Sequence, residues 1–425
     1  MSRGLLRNAL IVFALALTVR WTADVVLNPH LDPSISDEYD IIAQNMLDGH
    51  GFSYRPGESI PTVTRAPFYP LWLAAELAVF GRNFLLMRMA EGLVDAVTAA
   101  LVVFMAAAFC RLPLGRGPPT TASIGTPTRD RHTLLIPTLA GAVYAVQPFS
   151  IYYAAKMGTE TWFTFWLVLV VWAFVAWVLA PGYRSGAVLG VVAGVLLLNK
   201  STAIGLLIVL AVPGVIWLRG RRALACLSLA LCFVIAGVIV TPWLVRDYRV
   251  ADRHFVAVQT MMWWNFWADF DFSSSGWTNT IESHYAPEGG PAVWLSAPAD
   301  VRQEARLQHQ AVQWMTAHPL AMLGKMGRNL VEFWYLVDGV GRAQITAVAM
   351  TIEVLIAIAG AWLAWRERRR RLLLLAIIVI LYFNLVYTPI IAHVRYSLVV
   401  VPWLCLLQAF LLAWIYGRVM RRHAD

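Results

Sequence analysis

Leu5 to Leu27 reads LLRNALIVFALALTVRWTADVVL, and Ser34 to Gly49, a few residues on, reads SISDEYDIIAQNMLDG. The first stretch is long and apolar enough to cross a hydrocarbon core of roughly 30 Å as a helix. It follows Ser2 and Arg3 and has no small-residue cleavage site, so it is expected to be a retained helix that starts in the cytoplasm. In the second stretch Tyr39, Ile42, Ala43 and Met46 recur at helical spacing. Ser34 or Ser36 can cap the start and Gly49 can close the end. The reading is a spanning helix followed by a short amphipathic helix on the membrane surface, with Asp37 and Glu38 in its first turn.

Working outward, the same alternation fills the chain. Its 425 residues are 59% hydrophobic and 14% charged, and the mean hydropathy is +0.62. Soluble globules are closer to half apolar, which excludes that class and makes lipid part of the solvent. The expected fold is an all-α polytopic membrane protein of about ten spans. After Leu5 to Leu27 these are Phe84 to Cys110, Thr133 to Phe149, Thr161 to Ala180, Ala187 to Leu198, Thr202 to Leu218, Ala223 to Trp243, Ile345 to Trp365, Leu372 to Ile390 and Val394 to Tyr416. Cys110, Cys226, Cys232 and Cys405 fall in or at the ends of these runs and read as packing residues.

The net charge of +9 comes from arginines gathered between apolar runs, which is a topology signal and not a nucleic-acid footprint. With ten spans, the clusters around Arg111 to Arg131, Arg219 to Arg222, Arg366 to Arg371 and Arg418 to Arg422 all fall on the cytoplasmic side. Ala66 to Phe80 would invert this pattern if it crossed. It is short and opened by Pro67 and Pro70, so it is expected to lie at the outer interface. Two long segments, 28–83 and 246–342, then lie outside, and residues 1–345 form one module followed by C-terminal spans and a basic tail, 346–425. In the second loop Asp300 to Ala317 looks helical. Trp263, Trp264, Trp267, Trp277 and Trp294 read either as an interfacial aromatic belt or as a sugar-stacking surface.

Several residues could carry chemistry. Asp37 and Glu38 either complement a helix dipole, or place a carboxylate that deprotonates a hydroxyl or holds a divalent metal. All three lysines, Lys156, Lys200 and Lys325, map outside with Arg246, His393 and Arg395, where they either snorkel or gather around a phosphorylated ligand. Glu160 either pairs with Lys156 one turn away or meets Asp37 across a cavity. Within spans, Arg20 with Asp24, and Arg88 with Glu91 and Asp95, share helix faces. No P-loop, dinucleotide fingerprint, nucleophile elbow or zinc motif occurs, which leaves a nucleotide-driven pump without support.

With these landmarks in order, the chain resembles the GT-C superfamily of membrane glycosyltransferases, in the branch with protein mannosyltransferases and lipid A aminoarabinose transferases. Asp37 to Gly51 resembles the acidic motif of the first outer loop, and Arg65-Ala-Pro-Phe-Tyr-Pro70 is similar to an Arg-x-Pro-Leu-Tyr-Pro element. Lys156-Met-Gly-Thr-Glu160, Thr241-Pro-Trp-Leu-Val-Arg246, His318-Pro319 with Phe333-Trp334, and Arg395-Tyr396 near Pro402 resemble later landmarks. Phe68 stands where Leu is usual and Asp247 where Asn often follows the arginine. The resemblance implies inverting transfer of a sugar from a polyprenyl phosphate to a lipid, glycan or protein acceptor at the outer face of a membrane. The bacterial cytoplasmic membrane is expected, and the use of 31 Arg against 3 Lys points to a GC-rich bacterial genome. It implies Asp37 as base or metal ligand, Glu38 or Glu160 as supporting acids, either no cofactor or a divalent metal on Asp37 and Glu160, and Arg65, Tyr69, Lys156, Arg246, His393, Arg395 and Tyr396 around the substrate. A transporter of a lipid-linked sugar, or a lipid-linked glycan polymerase or ligase using Arg253, His254 and His284, are the rival readings.

Overall fold

The computed structural model describes residues 2–31, 39–112, 127–275, 296–337 and 340–422. Among them the protein is all-helical, with one isolated bridge between Ser53 and Pro61. Seven segments are long and apolar enough to cross a membrane: Arg3–His30, Phe84–Cys110, Thr159–Leu179, Arg219–Val250, Ala343–Arg366, Arg370–Tyr387 and Val394–Met420. The chain is therefore a polytopic integral membrane protein.

The helices are α1 (Arg3–Leu27), α2 (Tyr39–Leu47), α3 (Phe68–Phe80), α4 (Phe84–Cys110), α5 (Pro127–Ala145), α6 (Pro148–Ala155), α7 (Thr159–Leu179), α8 (Tyr183–Asn199), α9 (Ile204–Trp217) and α10 (Arg222–Val250). They continue with α11 (Met262–Ser275), α12 (Ala297–Ala317), α13 (Pro319–Glu332), α14 (Val340–Arg366), α15 (Arg370–Tyr387) and α16 (Val401–Arg422), the last preceded by a 3-10 turn, Val394–Val400.

Three of the ten expected spans are not single long helices. The run Thr133 to Phe149 breaks at Gln147 and Pro148. Proline there has no N–H to donate, and the chain restarts as α6 at 48° to α5. The Gln147 side chain caps the new helix by accepting the Ser150 N–H at 2.6 Å. The other two are α8 and α9, of 17 and 14 residues, below the length of the seven. They are consecutive, so whether both cross or neither does, later connections keep the same side. At 13 residues α3 is likewise below the length of the seven.

Close packing replaces the hydrophobic drive that lipid cannot supply. Gly186, Gly190 and Gly194, one turn apart on α8, face α10, where a Cβ would collide with Ser228, Cys232 and Ile239. In the interior, Arg20 of α1 pairs with Asp95 of α4 at 2.5 Å and donates to the Ala145 carbonyl at 2.7 Å. Tyr144 donates to the other Asp95 oxygen at 2.5 Å. The partner of Arg20 is thus on a neighbouring helix and not Asp24, one turn away.

The basic clusters meet at one end of the bundle. Arg369 donates to the Cys110 carbonyl that ends α4, at 2.8 Å, and Arg371 stands 5.4 Å from the ring centre of Trp217. At the opposite end the two long connections clasp each other. Ala297 donates to the Pro61 carbonyl at 2.8 Å, Thr260 to that of Val63 at 2.9 Å, and Thr62 Oγ1 to Asp300 Oδ2 at 3.0 Å. Trp263, Trp264 and Trp267 of α11 pack with Phe266 against Leu307, Ala311 and Trp314 of α12. These indoles form a small core inside the loop layer, with Trp267 buried and Trp263 and Trp264 half-buried; Trp277 and Trp294 lie outside the described residues.

Candidate functional site

The end of the bundle opposite the arginine clusters collects most of the expected residues. Glu160 sits in the first turn of α7, after Gly158, and is 5% exposed. Its Oε1 accepts from Lys200 Nζ at 2.9 Å, and Lys200 lies where α8 ends. The two are 40 residues apart, so spacing alone gives no hint of the pair. Lys156, the expected neighbour, closes α6 and holds its ammonium 5.9 Å from the Tyr152 ring centre instead.

Lys200 is enclosed by rings. Its ammonium is 5.5 Å from the Phe163 ring centre and 5.6 Å from that of Tyr396. Burial works against the charge, but Glu160 outweighs it with help from the nearby Tyr387, Tyr396 and Tyr39 hydroxyls, so the Lys200 pKa is raised and it stays an ammonium. Tyr396 stacks on Tyr387 at 4.4 Å and 14°. Arg395 donates to the Tyr396 hydroxyl at 2.9 Å with its guanidinium 4.9 Å from the same ring centre, and His393 Nδ1 accepts the Arg395 N–H at 3.1 Å. The 3-10 turn thus brings together His393, Arg395 and Tyr396, all three expected there.

A second group joins this one through α2 and α3. Tyr39 meets Tyr69 edge to face at 5.3 Å, and Arg65 stands over the Tyr39 ring at 5.2 Å and the Tyr54 ring at 5.7 Å. Arg65 also reaches Met261 Sδ. Burial raises the Tyr69 hydroxyl pKa well above its ordinary value, and the carboxyls of Glu91, Glu76 and Glu160 raise it further. Burial likewise pushes Glu76 up to about 8, which keeps a charge out of this apolar layer. Tyr39 and Tyr387 were not among the expected residues. A tyrosine at an apolar helical position looks like core until the neighbouring helices are placed.

The loop between α2 and α3 has its own frame. Asn45 donates to the Ser53 and Arg55 carbonyls at 2.9 and 2.7 Å and accepts the Gly57 N–H at 2.9 Å. Gly49 and Gly51 take φ of +83° and +76°, conformations that an L side chain resists, which accounts for the glycines in Asn45 to Gly51. Arg246, expected beside phosphate, fastens this loop. It donates to the Thr62 carbonyl at 2.6 Å, the Phe52 carbonyl at 3.2 Å and Asp247 at 2.8 Å, and lies against Phe52 and Trp243. Lys325 is also taken up, by buried Asp269. At the head of α4 a cleft of about 440 Å³ is lined by Asn28, Leu31, Arg82, Asn83, Phe84, Leu85 and Arg88.

Asp37 and Glu38 lie outside the described residues, as does His284; Tyr39, the next residue after the acidic pair, is in the ring cluster. Among the described residues no three His, Cys, Asp or Glu side chains are grouped to share a metal ion. Glu160 itself does not fit the expected metal role, because the Lys200 ammonium on Oε1 opposes a second cation there. Compared with known proteins, the chain matches no family model and no curated protein.

Proposed function

We propose that the protein is a GT-C type glycosyltransferase that moves a sugar from a polyprenyl phosphate to an acceptor hydroxyl at the outer face of a bacterial cytoplasmic membrane. The observation that carries this reading is the cationic, ring-lined cluster of Lys200, Arg395, Arg65, Tyr396 and Tyr39, next in the chain to Asp37 and Glu38, at the end remote from the arginine clusters. By the positive-inside rule that end faces outward.

In this mechanism Asp37 takes the proton of the acceptor hydroxyl, whose oxygen attacks the anomeric carbon from the face opposite the phosphate. The bond from that carbon to the phosphate oxygen breaks, and its electron pair leaves on the polyprenyl phosphate. Arg395 and Arg65 stabilise the charge gathering there, while Lys200, held by Glu160, sets the local field. Tyrosine rings give the sugar apolar faces to lie on and hydroxyls to bond. Arg246 is given a structural part, as the clasp between α10 and the first long loop.

One observation favours a transporter of the same lipid-linked sugar: the broken α5–α6 pair, beside a buried Arg20–Asp95–Tyr144 network, resembles the discontinuous helices of transport sites. A panel of polyprenyl-phosphate sugars offered to the protein in vesicles, with acceptor lipids and glycans, separates the two. Release of polyprenyl phosphate with a new glycosidic product supports transfer. Sugar-lipid crossing the bilayer intact, without release, supports transport. Repeating the assay with a chelator shows whether a divalent metal on Asp37 takes part.

A further inference from the structure

Helix α13 has two faces of opposite character. Leu320, Leu323, Leu330 and Val331 recur at helical spacing along one edge and are 81%, 63%, 43% and 57% exposed. Large apolar side chains so exposed mark a contact surface. The opposite face is polar and buried: Lys325 is 4% and Asn329 0% exposed.

That polar face is clamped. Asp269 of α11 accepts from Lys325, from Asn329 at 2.8 Å, from Arg328 at 3.3 Å and from the Ala392 N–H at 2.9 Å. Lys325 also donates to the Ile390 carbonyl at 2.9 Å, and Asn329 to that of Thr388 at 3.1 Å. Three of these bonds tie α13 to α11, and the other three, at Thr388, Ile390 and Ala392, tie the pair to the turn that runs into His393, Arg395 and Tyr396.

The occupant of the apolar edge follows from continuity. Helix α13 leads into the spanning helix α14, whose Ile345 and Val348 are 74% and 63% exposed on the shell that lipid covers. We propose that α13 is a lipid-docking helix whose leucine edge enters the interfacial layer of the bilayer, and whose Asp269 clamp fixes the Arg395–Tyr396 turn at that depth. A polar helix face held by protein and an apolar one in lipid is the division of an interfacial amphipathic helix. The inference holds whatever reaction the site performs.

The test uses the full chain in nanodiscs of phosphatidylcholine and phosphatidylglycerol, with the native cysteines replaced and single nitroxides placed at Leu320→Cys, Leu323→Cys and, as a water-facing control, Gln313→Cys. Positions 320 and 323 are expected to relax faster with oxygen than with a nickel chelate, and position 313 the reverse. Access to the nickel chelate at 320 and 323 overturns lipid docking. So does shielding from both agents, which would place protein, such as a second copy of the chain, on that edge. For the clamp, Asp269→Ala with Lys325→Met removes both charges together and avoids a buried unpaired ammonium. Hydrogen exchange across 388–396 is expected to quicken at least tenfold with α4 unchanged; an unchanged rate there overturns the clamp.

Discussion

Glu160 shows how much a single charge depends on its partner in this protein. Its carboxylate and the Lys200 ammonium are nearly out of solvent, at 6% and 13% exposure of the side chains, so each makes burial of the other tolerable. Glu160→Gln strands a buried ammonium and is expected to cost about 3–5 kcal/mol, the usual penalty for breaking a buried pair. Glu160→Gln combined with Lys200→Met removes both charges and is expected to recover most of that loss; thermal unfolding in detergent compares the two. Asp300 makes a different test, by pH. Burial pushes its carboxyl up from 3.8 to about 6, against the Thr62 hydrogen bond. The folded chain therefore holds this proton more tightly than the unfolded one, and the contribution to stability is greatest below about pH 4, falls as pH rises to about 6, and is flat above. Asp300→Asn is expected to remove that slope from unfolding midpoints taken between pH 4 and 7; an identical slope in the variant would refute it. These pairs were not legible in the sequence. Local spacing offered Lys156 to Glu160 and Asp24 to Arg20, whereas the actual partners, Lys200 and Asp95, come from helices that only packing brings together.

At the level of elements, apolar length was legible because lipid imposes it: a run that crosses must satisfy its own backbone and stay apolar throughout. Phe84–Cys110 and Thr159–Leu179 stand almost where their runs placed them. What the runs concealed was the break before Pro148 and the modest lengths of α8 and α9. Hydropathy adds up composition and does not register a missing N–H. Helix packing also rests on glycines that hydropathy ignores. A Cβ at Gly190 would stand 2.6 Å from the Cys232 carbonyl oxygen, while none of its neighbours comes within 4 Å at Gly237. Gly190→Val is expected to lower stability by about 1–3 kcal/mol as α8 and α10 are forced apart. Gly237→Ala, on α10 itself, is the matched control and is expected to change little. Equal melting shifts in the two would contradict the close approach.

Over the whole molecule, charge divides the two ends. Arginines of separate connections converge where α4 ends, around Cys110, Arg369 and Trp217. Carboxylates, tyrosines, Lys200 and the two clasped loops occupy the other end. Charge parity along the chain anticipated this division, and the sequence also singled out Arg65, Tyr69, Glu160, Arg395 and Tyr396 as members of the second group. It could not foresee that Arg246 and Lys325 are used to hold that layer together, since a cation that binds phosphate and one that binds a carbonyl or carboxylate look alike in one dimension. The proposal that chemistry takes place at this end turns on Asp37, two residues before Tyr39 in the chain. The direct measurement is release of polyprenyl phosphate by the reconstituted protein and by Asp37→Asn, each checked for insertion and unfolding temperature. The account predicts turnover by the parent and a loss of at least a thousandfold in a variant that is otherwise intact, since both proton transfer and the local charge are removed. Near-normal turnover by Asp37→Asn would contradict it.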